Sequence, residues 1–151
     1  AGNQDETGFA TALQQMWAAV GVTLNLQQVD NATRTDLYRS GKFNMRLGAW
    51  TDDIADPSEI ASYFAYSPTI ESQHSGWKSD EVDKLFEASQ AERDPAKRAA
   101  EYARIQEIAN AEGPMVYLYE SPYPVALSKK VKGFIQIPLG NNIFRAASLT
   151  K

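Results

Sequence analysis

Trp50 and three aspartates, Asp52, Asp53 and Asp56, crowd into the segment LGAWTDDIADPSEI, residues 47–60. Carboxylates this close repel one another, so the arrangement needs something to offset it. Four readings compete: a metal loop, a catalytic acid pair, one wall of a pocket for a cationic ligand, or solvated turn residues capping a helix. An EF-hand loop starting at Asp52 would need an oxygen ligand at 54, glycine at 57 and glutamate at 63. The chain has Ile54, Pro57 and Tyr63 there, so that reading fails. Catalysis by paired carboxylates is weakened because neighbours such as Asp52 and Asp53 usually point to different sides. Asp56 followed by Pro57 reads as a helix cap with a first-turn proline, a structural role. Asp52 and Asp53 are left for the pocket reading, with one of them expected at the solvated surface.

Other chemistry is scarce. There is no cysteine and only one histidine, His74, which removes thiolate sites, disulfides and most histidine-based metal sites. No Gly-x-Ser-x-Gly elbow, Gly-rich phosphate loop or His-Glu-x-x-His pair occurs. His74 stands beside Ser75 in QHSGW, but sequence neighbours rarely form a catalytic dyad. The expectation is therefore a binding protein without cofactor, metal or catalytic residues; a carboxylate-dependent hydrolase acting on peptides or glycans is the alternative from another class.

Composition narrows the partners. With 151 residues, 43% hydrophobic and 23% charged, the chain suits one soluble α/β domain. Residues 1–77 hold four Lys/Arg against nine Asp/Glu, whereas the remainder holds 11 against 10. The acidic excess lies around the aspartate segment, and no basic face offers itself to nucleic acid. No apolar run approaches the roughly 18–20 residues of a membrane helix, and AGNQDETGFA lacks the basic and apolar regions of a signal peptide.

The elements that must position these residues follow from periodicity. Phe9, Leu13, Met16, Trp17 and Val20 recur at helical spacing before Gly21, predicting a helix over about 6–20. VTLNLQQV, residues 22–29, alternates as a strand; Asp30 or Asn31 caps a short helix closed by Gly41; FNMRLGAW, residues 43–50, alternates again. Trp50 is out of phase with the apolar set Phe43, Met45, Leu47 and Ala49, so it either packs on a neighbouring helix or faces a ligand. A short helix follows Pro57, then a polar loop over 67–76, a helix capped by Ser79, and a helix from Asp94 as cap to Gly113 as terminator. PMVYLYE reads as a buried strand, and the stretch from residue 121 is strand-like and rich in Pro and Gly. This order implies α/β layering with a mainly parallel sheet and helices on both faces. Ligands of such sheets bind outside the carboxyl ends of strands, which is where residues 50–53 fall. The chain opens on a helix with the preceding strand absent, as though cut from a longer polypeptide.

A resemblance extends this reading. WTDDIADPS resembles the Trp-x-x-Asp-x-x-Asp-Pro segment of the dipeptide/oligopeptide class (family 5) of extracytoplasmic solute-binding proteins that serve ABC transporters. ALQQMWAAVGVTLNLQQVD is similar to that family's helix-Gly-Val-strand stretch, and GKFNMRLGAW to its strand leading to the tryptophan. SGWKSDEVDKLFEASQAERDPAKRAAEYARIQEIANAEGPMVYLY is similar to its two following helices and strand. The resemblance implies a periplasmic-binding-protein-like (type II) C-terminal lobe, with residues 1–120 forming the ligand-binding lobe without its first strand. Residues 121–151 would pass through the hinge and rejoin the other lobe. It implies no chemistry, but capture of a peptide or peptide-like solute, delivered to an ABC permease in the periplasm or at a membrane-tethered extracytoplasmic position.

The resemblance further places the aspartate that pairs with a peptide's α-amino group on Asp53, and backbone groups offered to an extended ligand on Trp50 and Thr51. It sets Trp77 on an aromatic position before the next helix, with Gln73 and His74 in a loop approaching the cleft. Ile54 and Ala55 depart from the small or polar residues often found there, so nickel chelates, opines, glutathione and oligosaccharides, which family members also carry, stay open as ligands. Without the rest of such a protein, the chain is expected to hide its open edges by self-association or by retaining the complementary part.

Overall fold

The computed structural model describes residues 4–120 and 122–150. Helices dominate the described residues: α1 (Gln4–Ala18), α2 (Asn31–Arg39), α3 (Pro57–Phe64), α4 (Ser67–Ile70), α5 (Asp80–Ala91) and α6 (Pro95–Glu112). Four two-residue strands follow: β1 (Val131–Lys132), β2 (Ile135–Gln136), β3 (Asn142–Ile143) and β4 (Ser148–Leu149). The residues sort into two compact units, one of 4–50 with 72–74, the other of 51–71, 75–120 and 122–150.

The first unit is built by helix caps and polar ties. Helix α1 ends where Gly21 takes φ +83° and Val22 N–H donates to Trp17 O at 2.9 Å, a left-handed exit that glycine adopts without strain. Asp30 starts α2 by accepting from Thr33 N–H at 2.9 Å. Arg34 of α2 forks onto Glu6 of α1 at 3.1 and 3.2 Å and also donates to Leu47 O at 3.1 Å. Gln14 of α1 donates to Leu24 O at 2.7 Å. Among the described residues the apolar periodicity of α1 is covered only in part: Leu13 and Trp17 are half-buried, while Met16 stays 66% exposed.

The second unit carries the apolar core. Ala61 and Ala65 from α3 and its cap, Val82 and Phe86 from α5, and Tyr102, Ile105, Ile108 and Ala109 from α6 form one buried cluster. Fully burying such a side chain is worth about 1.5–3 kcal/mol, which is what binds three short helices. The caps are those expected: Asp56 accepts from Ser58 N–H, Ser79 from Val82 N–H, and Asp94 from Ala96 N–H. Gly113 ends α6 in extended backbone instead of a left-handed turn, its N–H reaching Ala109 O at 2.9 Å.

Two expectations need correction. The loop over 67–76 is partly helical, with Ile70 of α4 only 1% exposed; that apolar residue packs inward, and one turn of helix satisfies the backbone around it. The mainly parallel sheet is not formed: the described ladders are antiparallel, β1 with β4 (Val131 opposite Leu149) and β2 with β3 (Ile135 opposite Ile143). Segments 22–29, 43–50 and 115–120 carry no ladder. A helix closes its hydrogen bonds within itself, whereas a strand exists only with a partner, and alternation reports a surface suited to pairing without supplying that partner.

Candidate functional site

The aspartate loop is tied down at several points within the second unit. Asp56 caps α3 and receives a two-pronged donation from Arg98 of α6, Nη1 to Oδ2 at 2.9 Å and Nη2 to Oδ1 at 2.8 Å. The Arg98 guanidinium, with the Ser58 donors, holds this carboxyl well below the usual carboxylate range. Arg98 is in turn held by Ser89 O at 3.1 Å from Nε and lies over the Tyr102 ring at 4.9 Å. Tyr102 Oη joins Ser89 Oγ at 2.8 Å and Gln90 Nε2 at 2.9 Å, so the loop is anchored to the interface of α5 and α6. The structural reading of Asp56 is therefore correct and incomplete.

Glu59 is the residue that sequence reasoning missed. Its carboxylate accepts from Asp53 N–H at 3.0 and 2.9 Å and from Ile54 N–H at 2.9 Å. A signal existed, because Asp56-Pro-Ser-Glu59 has the spacing of a capping box. The glutamate reaches further back than that motif usually does, to residues 53 and 54.

The Asp53 side chain is exposed and that of Asp52 is half-buried. Asp53, Ile54, Ser58, Glu59, Ser62, Tyr63, Phe86 and Gln90 line an open depression of about 450 Å³. Its rim is acidic and aromatic, a chemistry that suits a cation. Thr51 Oγ1 and Tyr123 Oη share a hydrogen bond; no local pattern could have announced a contact across 72 positions. Trp77 packs half-buried against the α3–α5–α6 core, its N–H donating to Ser75 Oγ at 3.3 Å. Thr51, Asp53 and Trp77 thus share one unit.

Trp50 and His74 belong to the other unit. Trp50 is 41% exposed. His74 stands edge-on to the rings of Tyr38 and Phe43, each centroid 6.2 Å away, and adopts φ +56°. Next to it Gln73 is buried, its Oε1 accepting from Arg46 Nη2 at 2.8 Å and Tyr38 Oη at 3.2 Å, while the Arg46 guanidinium lies 4.2 Å from the Tyr38 ring centroid. Among the described residues no group of three or more His, Cys, Asp or Glu could hold a metal ion, and no helix is long and apolar enough to cross a membrane.

Comparison with known proteins follows the same lines. Residues 1–72 match the model of "Bacterial extracellular solute-binding proteins, family 5 Middle". The chain is 30% identical over 145 residues to a protein named "Probable D,D-dipeptide-binding periplasmic protein DdpA" from Escherichia coli K12, covering 95% of this chain and 28% of that one. It is 25% identical over 149 residues to the "Dipeptide-binding protein" of the same organism, covering 97% and 28%. Its fold superposes on the solved structure of HbpA2 from Haemophilus parasuis with a TM-score of 0.71 and 26% identity, over 94% of this chain and 28% of that chain. The chain thus spans little more than a quarter of the length of the relatives it matches.

Proposed function

We infer, from a chain that matches part of a family 5 bacterial extracellular solute-binding protein, that it supplies a solute-contacting lobe to the binding component of an ABC importer. The similarity over nearly the whole chain to proteins named for dipeptide binding carries this reading. The task is capture and delivery without turnover: a small solute, peptide or peptide-like, is held in a cleft between this lobe and a second one and passed to the permease. Closure about a hinge is driven by contacts that the solute makes only in the closed state.

Asp53 carries the specificity in this reading. Its exposed carboxylate on the acidic depression receives the ammonium of the solute. Trp50 and Thr51 offer backbone groups, and Trp77 and His74 add aromatic surface. The lobe comprises residues 1–120, and 121–151 return through the hinge. The lobe works in an extracytoplasmic compartment.

The test is calorimetric. In the full-length binding protein Asp53→Asn weakens solute binding by roughly 2–5 kcal/mol, the scale for removing one partner of a desolvated charge pair. Asp52→Asn costs well under that. Equal losses at the two positions would refute the assignment, and release of product from a peptide or glycan library would point to a hydrolase.

A further inference from the structure

We propose that Glu59 is a positioning residue, whose carboxylate clamps the Asp53 and Ile54 amides and so fixes the direction in which Asp53 presents its own carboxylate. The proposal rests on the reading of Asp53 as the group that meets the solute.

Three acceptor contacts, at 3.0, 2.9 and 2.9 Å, place both Glu59 oxygens on two successive backbone N–H groups. Hydrogen bonds to a carboxylate are roughly twice as strong as neutral ones, and a carboxylate can accept about four. Most of the Glu59 acceptor capacity is therefore spent on the backbone of the loop.

Fixing the N–H groups of residues 53 and 54 fixes the two peptide planes that flank Asp53, and with them its Cα–Cβ direction. The clamp is rigid because its base is rigid. Glu59 sits in the first turn of α3, Pro57 presets that turn, and Asp56, three residues before Glu59, is forked by Arg98 from α6. The loop is thus tied at both ends, by Glu59 at 53–54 and by Arg98 at 56, while the Asp53 side chain stays exposed on the same depression that Glu59 lines. A carboxylate held this way meets an ammonium without first losing loop freedom, which is how preorganisation strengthens binding.

Amide hydrogen exchange in the 151-residue chain tests the clamp directly. Glu59→Ala should speed exchange at residues 53 and 54 by about ten-fold or more, the loss expected for charged acceptors. The Ser58 amide, held by Asp56 at 2.9 Å, should keep its rate and reports that α3 is intact. If Glu59→Ala unfolds α3, Glu59→Gln is read on the same two amides, where it should lose protection partially. Unchanged rates at 53 and 54 in either folded variant overturn the clamp.

Titration of the full-length binding protein with dialanine, and with N-acetyl-dialanine as a probe lacking the ammonium, tests the positioning. Dialanine should bind full-length Glu59→Ala about ten-fold more weakly than the full-length parent, with the acetylated probe unaffected. Lost amide protection with unchanged dialanine affinity overturns the positioning role. Equal binding of the two probes by the full-length parent sinks the assignment of Asp53, and the role of Glu59 toward it, while the exchange rates still decide the clamp.

Discussion

At the scale of the residue, Asp56 and Asp53 show how two carboxylates three positions apart are given different work. Asp56 is committed to Ser58 N–H and to both Arg98 nitrogens, and its titration is depressed accordingly. A depressed folded-state value contributes stability that is fully present above the unfolded carboxylate range near 4 and is lost as pH falls below it. Asp56→Asn keeps a capping oxygen and removes the charge, so its urea midpoint should match the parent's acid-side values and fall short of them near neutrality. Asp56→Ala loses the cap as well and should cost about 1 kcal/mol for that alone, read as a shift in the urea midpoint at constant slope. A midpoint for Asp56→Asn that tracks the parent at every pH would show that the Arg98 fork adds nothing. Asp53, by contrast, keeps its side chain at the surface while its backbone is clamped. The contrast was half legible: the Asp56-Pro57 pair announced a cap, but Arg98, 42 positions away, could not be paired with it from the sequence.

At the scale of the element, packing separates helices that are stable through burial from those held by polar ties. Ile105 on α6 is 3% exposed within the α3–α5–α6 cluster, so Ile105→Ala should destabilise by about 2–4 kcal/mol through lost burial and a cavity. Met16→Ala on α1, with its side chain mostly in solvent, should change the denaturation midpoint very little. The two periodicities look alike in sequence, and only the presence of a covering surface distinguishes them. At the β1–β4 ribbon, Gly133 holds φ +69° with Ala146 O 2.0 Å from where a Cβ would sit. Gly133→Ala should therefore open the ribbon, seen as lost protection of the Val131 and Thr150 amides, which now donate to Ser128 O and Lys130 O.

At the scale of the whole molecule, the exposed apolar side chains are too many to be incidental. Val116, Leu118, Tyr123, Val125 and Leu127 of the second unit are all exposed, Val116 at 81%, as are Val20, Val22 and Leu26 of the first. Alternating apolar segments without ladders invite pairing with another chain. Light scattering on the 151 residues should show mass rising with concentration, and Val116→Lys with Leu118→Lys should suppress it; a concentration-independent monomer would refute this. Tight solute binding by the 151 residues alone would equally contradict a cleft shared with a second lobe.

What the sequence determined by itself was local. The caps at Asp30, Asp56, Ser79 and Asp94 and the proline-led helices were legible, because a cap or a helical repeat is closed within a few residues. The tertiary structure decided whatever needed a second segment. It gave α5 and α6 their core and left α1 only partly covered, withheld ladders from the alternating segments, paired Arg98 with Asp56, and brought Tyr123 to Thr51. It also turned Glu59 from an ordinary first-turn glutamate into the acceptor for two loop amides. The physical reason is common to all of these: burial, pairing and charge compensation are relations between parts of a chain, and composition and spacing describe only one part at a time.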